Sequence, residues 1–377
     1  MNEKIFFKRS VLITIIAFLL FSCSQAKQGD LLEIPIDIDQ NSSLPLSEIT
    51  EEITAIELEF TDESLISTNY IQRIIISGND VIIAQLNNIL LFNKDGKFVR
   101  SISSRGQGPG EYNYISNLAW DEKNKLLFIL SNSPAKIICY DLDGKFKKET
   151  FIKHSAFFRD INFVNNELLL VGYSNTDGKV LNSVVYRWNK EFQVIDSFTI
   201  RSTYLGDYTA FSNTSIYNDF ITNTNSNSTI YLYCSNNIFL LGPNSAKIIL
   251  PDTLYQIKNN QYFPEIKLKF KNDGINNEGE KFIDLHSIYR SSKYIFALYE
   301  NKQNNNGYRY HFCYDTKTGK GYNMQDGYTD DINKIETRVS IRPFNFNTEM
   351  FYYLHTHMKP DDLEEPNPTL YIGKLKK

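Results

Sequence analysis

Short runs of alternating or continuous apolar residues, each closed by a polar or glycine-containing turn, carry the chain from about residue 46 to its end. Helical periodicity is nearly absent after the first 22 residues, so the pattern predicts strands throughout. The runs repeat. Residues 89–98 (ILLFNKDGKF) match residues 137–146 (IICYDLDGKF) position by position, and residues 184–192 (VVYRWNKEF) form a third copy. Their aromatic anchors Phe92, Tyr140 and Trp188 recur at a fixed spacing of about 48 residues, within the range of four-stranded propeller-blade repeats. Each copy reads as a hairpin. Asp-Gly fits a tight turn because glycine adopts positive φ without a steric penalty. The third copy lacks that glycine, which predicts a turn of a different type.

Looser copies follow around Tyr255, Tyr314 and Tyr371, giving six anchors. Two further strands precede each well-defined anchor, for example at 115–121 and 126–131. Four strands per unit predict an all-β fold, a six-bladed β-propeller with four-stranded antiparallel blades. The last anchor leaves too few residues for a fourth strand, while the alternating segment 53–60 near the start has no blade of its own. The segment is therefore expected to supply the outer strand of the final blade and close the ring, pairing an edge that would otherwise be exposed.

The first residues follow a different pattern. Lys4, Lys8 and Arg9 precede an apolar run from Val11 to Phe21 that is too short to span a bilayer, as in a signal peptide. Residues 20–23 (LFSC) look like a bacterial lipobox, making Cys23 the expected acylated residue. The expected organisation is a signal peptide over 1–22, a lipid-anchored tether over 23–45, in which 34–38 can add a peripheral strand, and a propeller over 46–377. Ser24 after the cysteine favours the outer membrane, on its periplasmic face or at the cell surface. Three cysteines remain, Cys139, Cys234 and Cys313. An odd number in an oxidising compartment cannot pair completely, and buried free thiols are expected.

The formal net charge is -4, with 22% charged and 14% aromatic residues and no basic cluster. Nucleic acid is therefore excluded as the expected partner, since its binding requires clustered Lys and Arg against phosphates.

Residues 105–112 (RGQGPGEY), after a strand ending near Ile102, resemble the hallmark of the six-bladed β-propeller lipoproteins of Bacteroidetes, distant relatives of NHL-repeat propellers. Residues 46–49 with 56–58, and 251–255 (PDTLY), are similar to the same family. The resemblance spans roughly 44–375 and implies the fold and an envelope location, but no activity.

Candidate chemistry is sparse. The glycine-rich loop lacks the Lys-Ser/Thr of a P-loop and leads into a strand, so it reads as a turn, with Arg105 and Glu111 at one mouth of the central channel. Arg159 and Asp160 in blade three, and Asp284, His286 and Arg290 in blade five, are expected at inner-strand starts, where charged groups meet either one another or a ligand. His355 and His357, with Asp361 and Asp362 nearby, are the weak candidates for a divalent metal; no other cofactor is implied. Tyr204, Tyr208 and Phe211 can stack on sugar rings, although packing in the core or between blades is the favoured expectation for each. No serine-nucleophile motif is present, and whether the chain is an enzyme is left open, a non-catalytic role being favoured. The reading is a cell-envelope lipoprotein whose propeller binds a ligand or partner, a glycan, peptide or envelope protein, possessing a membrane contact through its lipid. The alternative is a metal-dependent lyase or hydrolase with its site at the channel mouth.

Overall fold

A computed structural model describes residues 31–377 except 103–104, 153–155, 177–179, 205–219, 224–229, 235–251, 259–260, 278–280, 304–306, 346–347 and 359–364. The chain forms a six-bladed β-propeller. From the inner strand outward, blade one comprises Ile71–Ser77, Asp80–Gln85, Ile89–Asn93 and Phe98–Ser101; blade two, Asn117–Asp121, Leu126–Asn132, Ala135–Asp141 and Phe146–Phe151; and blade three, Ala156–Val164, Glu167–Thr176, Val180–Trp188 and Val194–Tyr204. Blade four has Phe220–Asn223, Ile230–Cys234, Thr253–Lys258 and Gln261–Phe270, and blade five Ile283–Arg290, Tyr294–Asn301, Tyr308–Asp315 and Lys320–Gln325. Blade six has Arg342–Asn345, Met350–His355 and Thr369–Leu375, and its outer strand is Thr50–Glu57 from the start of the chain. The ring thus closes as the sequence pattern required, three residues earlier than expected, with Ala55 opposite Tyr371.

All six aromatic anchors fall in the third strands. Each of the six buried apolar clusters lies between two neighbouring blades. Between blades two and three, Phe128, Leu130, Phe158, Leu168, Trp188 and Phe192 meet from both sides. Each blade is a twisted sheet with two apolar faces, and only a neighbouring sheet on each side removes both from water. Cys139 and Cys313 are buried free thiols facing these layers. The side chain of Cys234 lies outside the described residues.

The third hairpin does not differ in type from the first two. Gly96 N–H donates to Asn93 O, Gly144 N–H to Asp141 O, and Phe192 N–H to Asn189 O, at 3.0, 3.1 and 3.1 Å. Gly96, Gly144 and Phe192 share the left-handed conformation, with φ of 80°, 76° and 65°. The side-chain acceptor is shared as well: Asn189 Oδ1 takes the N–H of Gln193 at 2.8 Å, as Asn93 Oδ1 takes that of Lys97 and Asp141 Oδ1 that of Lys145. The Phe192 ring packs edge-on to Phe128 and lies under Lys148, contacts that offset its strained backbone.

Residues 31–45, assigned to the tether from the sequence, are packed chain. Leu32–Ile36 adds a fifth strand to blade four, parallel to its outer strand, with Ile34 opposite Leu268. Ile34, Ile36, Ile38 and Leu44 are buried. The segment then crosses blade five, where Ser42 N–H donates to Asn323 O at 2.7 Å and Asn323 Nδ2 donates to Gln40 O at 3.0 Å. It leads into a short helix, Leu46–Ile49, and so straps blades four, five and six together along their outer edges. A hairpin of Tyr328–Asp330 and Ile335–Val339 fills the gap between blades five and six.

Candidate functional site

Strand alternation places the start of every inner strand and the end of every second strand on one face of the ring, here termed the upper face. Three inner strands are tied together by one side chain that the sequence did not single out. Arg73 of blade one reaches across blade two, donating from Nη1 to Leu118 O at 2.8 Å and to Ile161 O at 3.1 Å, and from Nη2 to Asn162 Oδ1 at 3.0 Å. Asp160 accepts from Asn117 Nδ2 at 2.9 Å and Asn162 Nδ2 at 2.8 Å, with Arg73 at 3.9 Å. Asp160 is thus a structural carboxylate, buried and satisfied. Burial pushes the Tyr289 phenol above its ordinary pKa, partly offset by the Arg342 guanidinium.

The other candidates separate. Arg159, the extra residue of a bulge in the inner strand of blade three, sets its guanidinium 5.9 Å from the centre of the Tyr173 ring. The loop of Arg105 and Glu111 lies against the outer half of blade two. Gly110 N–H donates to Glu149 at 3.0 Å and its carbonyl accepts from Tyr140 OH at 2.5 Å. Glu111 folds back to accept from Gly108 N–H at 2.7 Å, and a Cβ on Gly106 would stand 2.0 Å from its carboxylate. The glycines therefore make room for a carboxylate of the same loop, while Arg105 is exposed. Arg290 ends its strand, about 20 Å along from Asp284 at a strand's rise per residue, and pairs with Glu265 of blade four.

His355 and His357 come together with ring centroids 4.5 Å apart, and His357 Nε2 is hydrogen-bonded to Tyr371 OH at 2.8 Å. Burial, then the neighbouring His357, holds the pKa of His355 below its usual value. Asp361, Asp362, Tyr208 and Phe211 lie outside the described residues, as do Cys23 and the side chain of Tyr204.

Asp284 and His286 do converge, with Glu300 from the adjacent strand. Asp284 and Glu300 are directly opposite in register, and His286 is the extra residue of a bulge between Leu285 and Ser287. Lys302 Nζ stands 3.2 Å from Asp284 and 3.6 Å from Glu300. This group sits at the upper face of blade five. Around the same face, Leu65, Tyr70, Tyr114, Phe157, Tyr308 and Met358 expose large apolar side chains from connections and strand ends of five blades. Val99, Phe146, Phe151, Val194 and Ile195, also exposed, lie instead on outer strands.

Among solved structures, the chain is similar to a Bacteroides fragilis protein whose name marks it as exported, with 16% identity, a TM-score of 0.62, and coverage of 92% of this chain and 100% of that one. A member of the duf4221 family from Bacteroides vulgatus aligns over 87% of this chain and 97% of its own at 8% identity and a TM-score of 0.48. The WD40 domain of Neurospora crassa Pan2 aligns over 81% of this chain and 76% of its own at 12% identity and a TM-score of 0.41. No curated protein matches. Among the described residues, no helix is long and apolar enough to cross a membrane. Residues 31–376 match the model of a domain of unknown function, DUF4934, and the chain belongs to that family.

Proposed function

We propose that the protein is an exported, lipid-anchored binding module of the cell envelope that engages a glycan or peptide partner through the upper face of its propeller. The observation that carries this reading is the set of exposed Leu65, Tyr70, Tyr114, Phe157, Tyr308 and Met358 around that face. Exposed aromatics offer large apolar area at low entropic cost, and grouped on connections held by a rigid ring they have the character of a recognition surface. The charged residues at the inner strands support binding over turnover, because Arg73 and Asp160 are engaged in holding blades together. Anchoring at Cys23 fits the entry of the packed chain at the edge of blade four, where Leu32 pairs opposite Ile266 and Ile36 opposite Phe270, at the end of its outer strand.

The test is a binding screen of envelope glycans and peptides against the protein and a Tyr70→Ser, Tyr114→Ser, Phe157→Ser variant. Saturable binding that the triple variant loses at least about tenfold, with its melting temperature kept, supports the reading. Binding that the variant retains moves the site elsewhere. A metal-dependent lyase or hydrolase is the second reading, favoured by the Asp284, His286 and Glu300 cluster alone; it requires turnover that His286→Ala abolishes.

A further inference from the structure

We propose that Asp284, His286 and Glu300 form a binding site for a first-row divalent cation, with Zn2+ the best chemical fit, at the upper face of blade five. One ligand atom from each of the three lies within 4.8 Å of the others, the spread a single ion can draw together. The backbone arranges this. Register sets Asp284 opposite Glu300, and the bulge seats two residues, His286 and Ser287, against the single residue Leu298, which re-aims the imidazole without disturbing the ladder beyond it.

A second observation points to a ligand. His286 Nε2 is shielded from solvent and has no hydrogen-bond partner; the nearest carboxylate oxygen, on Glu300, is 3.9 Å away. A buried polar nitrogen left unpaired is unfavourable, and a metal ion is a partner that an imidazole flanked by two carboxylates accepts.

The place is already one that a cation takes. The ammonium of Lys302, from a half-exposed side chain, bridges Asp284 and Glu300. A divalent ion would displace it, and the flexible stem of Lys302 can turn out to solvent. On the far side, a Cβ at Gly307 would stand 2.4 Å from Glu300 Oε1, so the connecting loop closes on the carboxylate and limits its swing. Three protein ligands leave a fourth tetrahedral position for water or for an oxygen of a bound partner.

The test is calorimetric titration of the chelator-stripped full-length protein with ZnCl2, with thermal melts of each variant without metal as the control for folding. The expected result is one Zn2+ per chain, weakened at least about tenfold by His286→Ala and by Glu300→Gln. Lys302→Met, which removes the competing ammonium, is expected to tighten binding several-fold. A His355→Ala, His357→Ala variant is expected to bind as the wild type does. The proposal is overturned if neither the wild type nor Lys302→Met binds Zn2+ at about 100 μM, a Kd corresponding to roughly 5 kcal/mol. It is equally overturned if binding survives His286→Ala in a folded protein, or is lost with His355 and His357 instead. None of these outcomes depends on the partner-binding role of the upper face.

Discussion

At the scale of single residues, the conformations shared by Gly96 and Phe192 separate two reasons for a glycine. Both are left-handed, yet only at Gly96 does the surrounding structure forbid a side chain: a Cβ would lie 2.0 Å from the backbone oxygen of Glu57, where the end of the closing strand passes the hairpin of blade one. Gly78 is also left-handed, with nothing within 4 Å of the same position. Gly78→Ala is therefore expected to cost about 1 kcal/mol, the strain alone. Gly96→Ala is expected to cost at least about 3 kcal/mol by urea unfolding, the level of other severe clashes in packed sites. Equal costs would show that the approach of blade six to blade one is not tight. A buried titratable group gives a second residue-scale prediction. Burial, aided by Arg309 and Arg342, pushes His311 down to about 4. The folded protein thus binds fewer protons than the unfolded chain below the ordinary histidine value of about 6.5. Its contribution is intact above that pH, declines as pH falls from about 6.5, and is fully lost near pH 4, a change of about 3 kcal/mol. His311→Gln is expected to flatten the dependence of stability on pH across this window.

Among the described residues, the closing strand Thr50–Glu57 pairs in its sheet on one side only, with Thr369–Leu375, and this makes a test at the scale of the element. Neighbouring N–H groups in a strand point alternately toward and away from the partner. Of Thr54→Pro and Ala55→Pro, one is expected to cost about 3 kcal/mol and the other markedly less. If both are mild in thermal and urea melts, the strand does not close the ring. Much of this level was legible in the sequence. The aromatic anchors marked third strands even where loops had stretched the repeat, because most of these side chains are buried in the layers between blades. The strap over 31–45 was less legible. Alternation at Ile34, Ile36 and Ile38 announces a strand, but its partner, the outer strand of blade four, lies more than 200 residues away and carries no matching mark in the sequence. Separation in sequence, 45 to 89 residues, also hid Arg73, which stands in an isoleucine-rich run until two other inner strands supply its acceptors. Glu300 joined Asp284 and His286 through a register and a bulge that no spacing rule encodes. At 192, a turn predicted from its missing glycine to differ kept its type, since the contacts of a buried ring offset the strain of the left-handed backbone.

For the whole molecule, the six inter-blade layers form a circle in which every blade depends on two neighbours, so stability is shared around the ring. Linear repeat arrays unfold from their ends, whereas a closed ring has none. Moving residues 31–60 to follow Lys377 through a flexible linker would make the closing pair local in sequence. Such a permuted protein is expected to fold faster by stopped-flow fluorescence with little change in equilibrium stability, since folding rates rise as contacts become more local. An unchanged rate would mean that closure comes after the rate-limiting step. In the natural order, Thr50–Glu57 precedes its partner Thr369–Leu375 by more than 300 residues. The early strand has no place to go until Thr369–Leu375 arrives, and blade six is left an edge short in the interval. A chain delivered from its N-terminus therefore closes its ring only once Thr369–Leu375 has emerged, and closure itself acts as a check that the blades in between have come through.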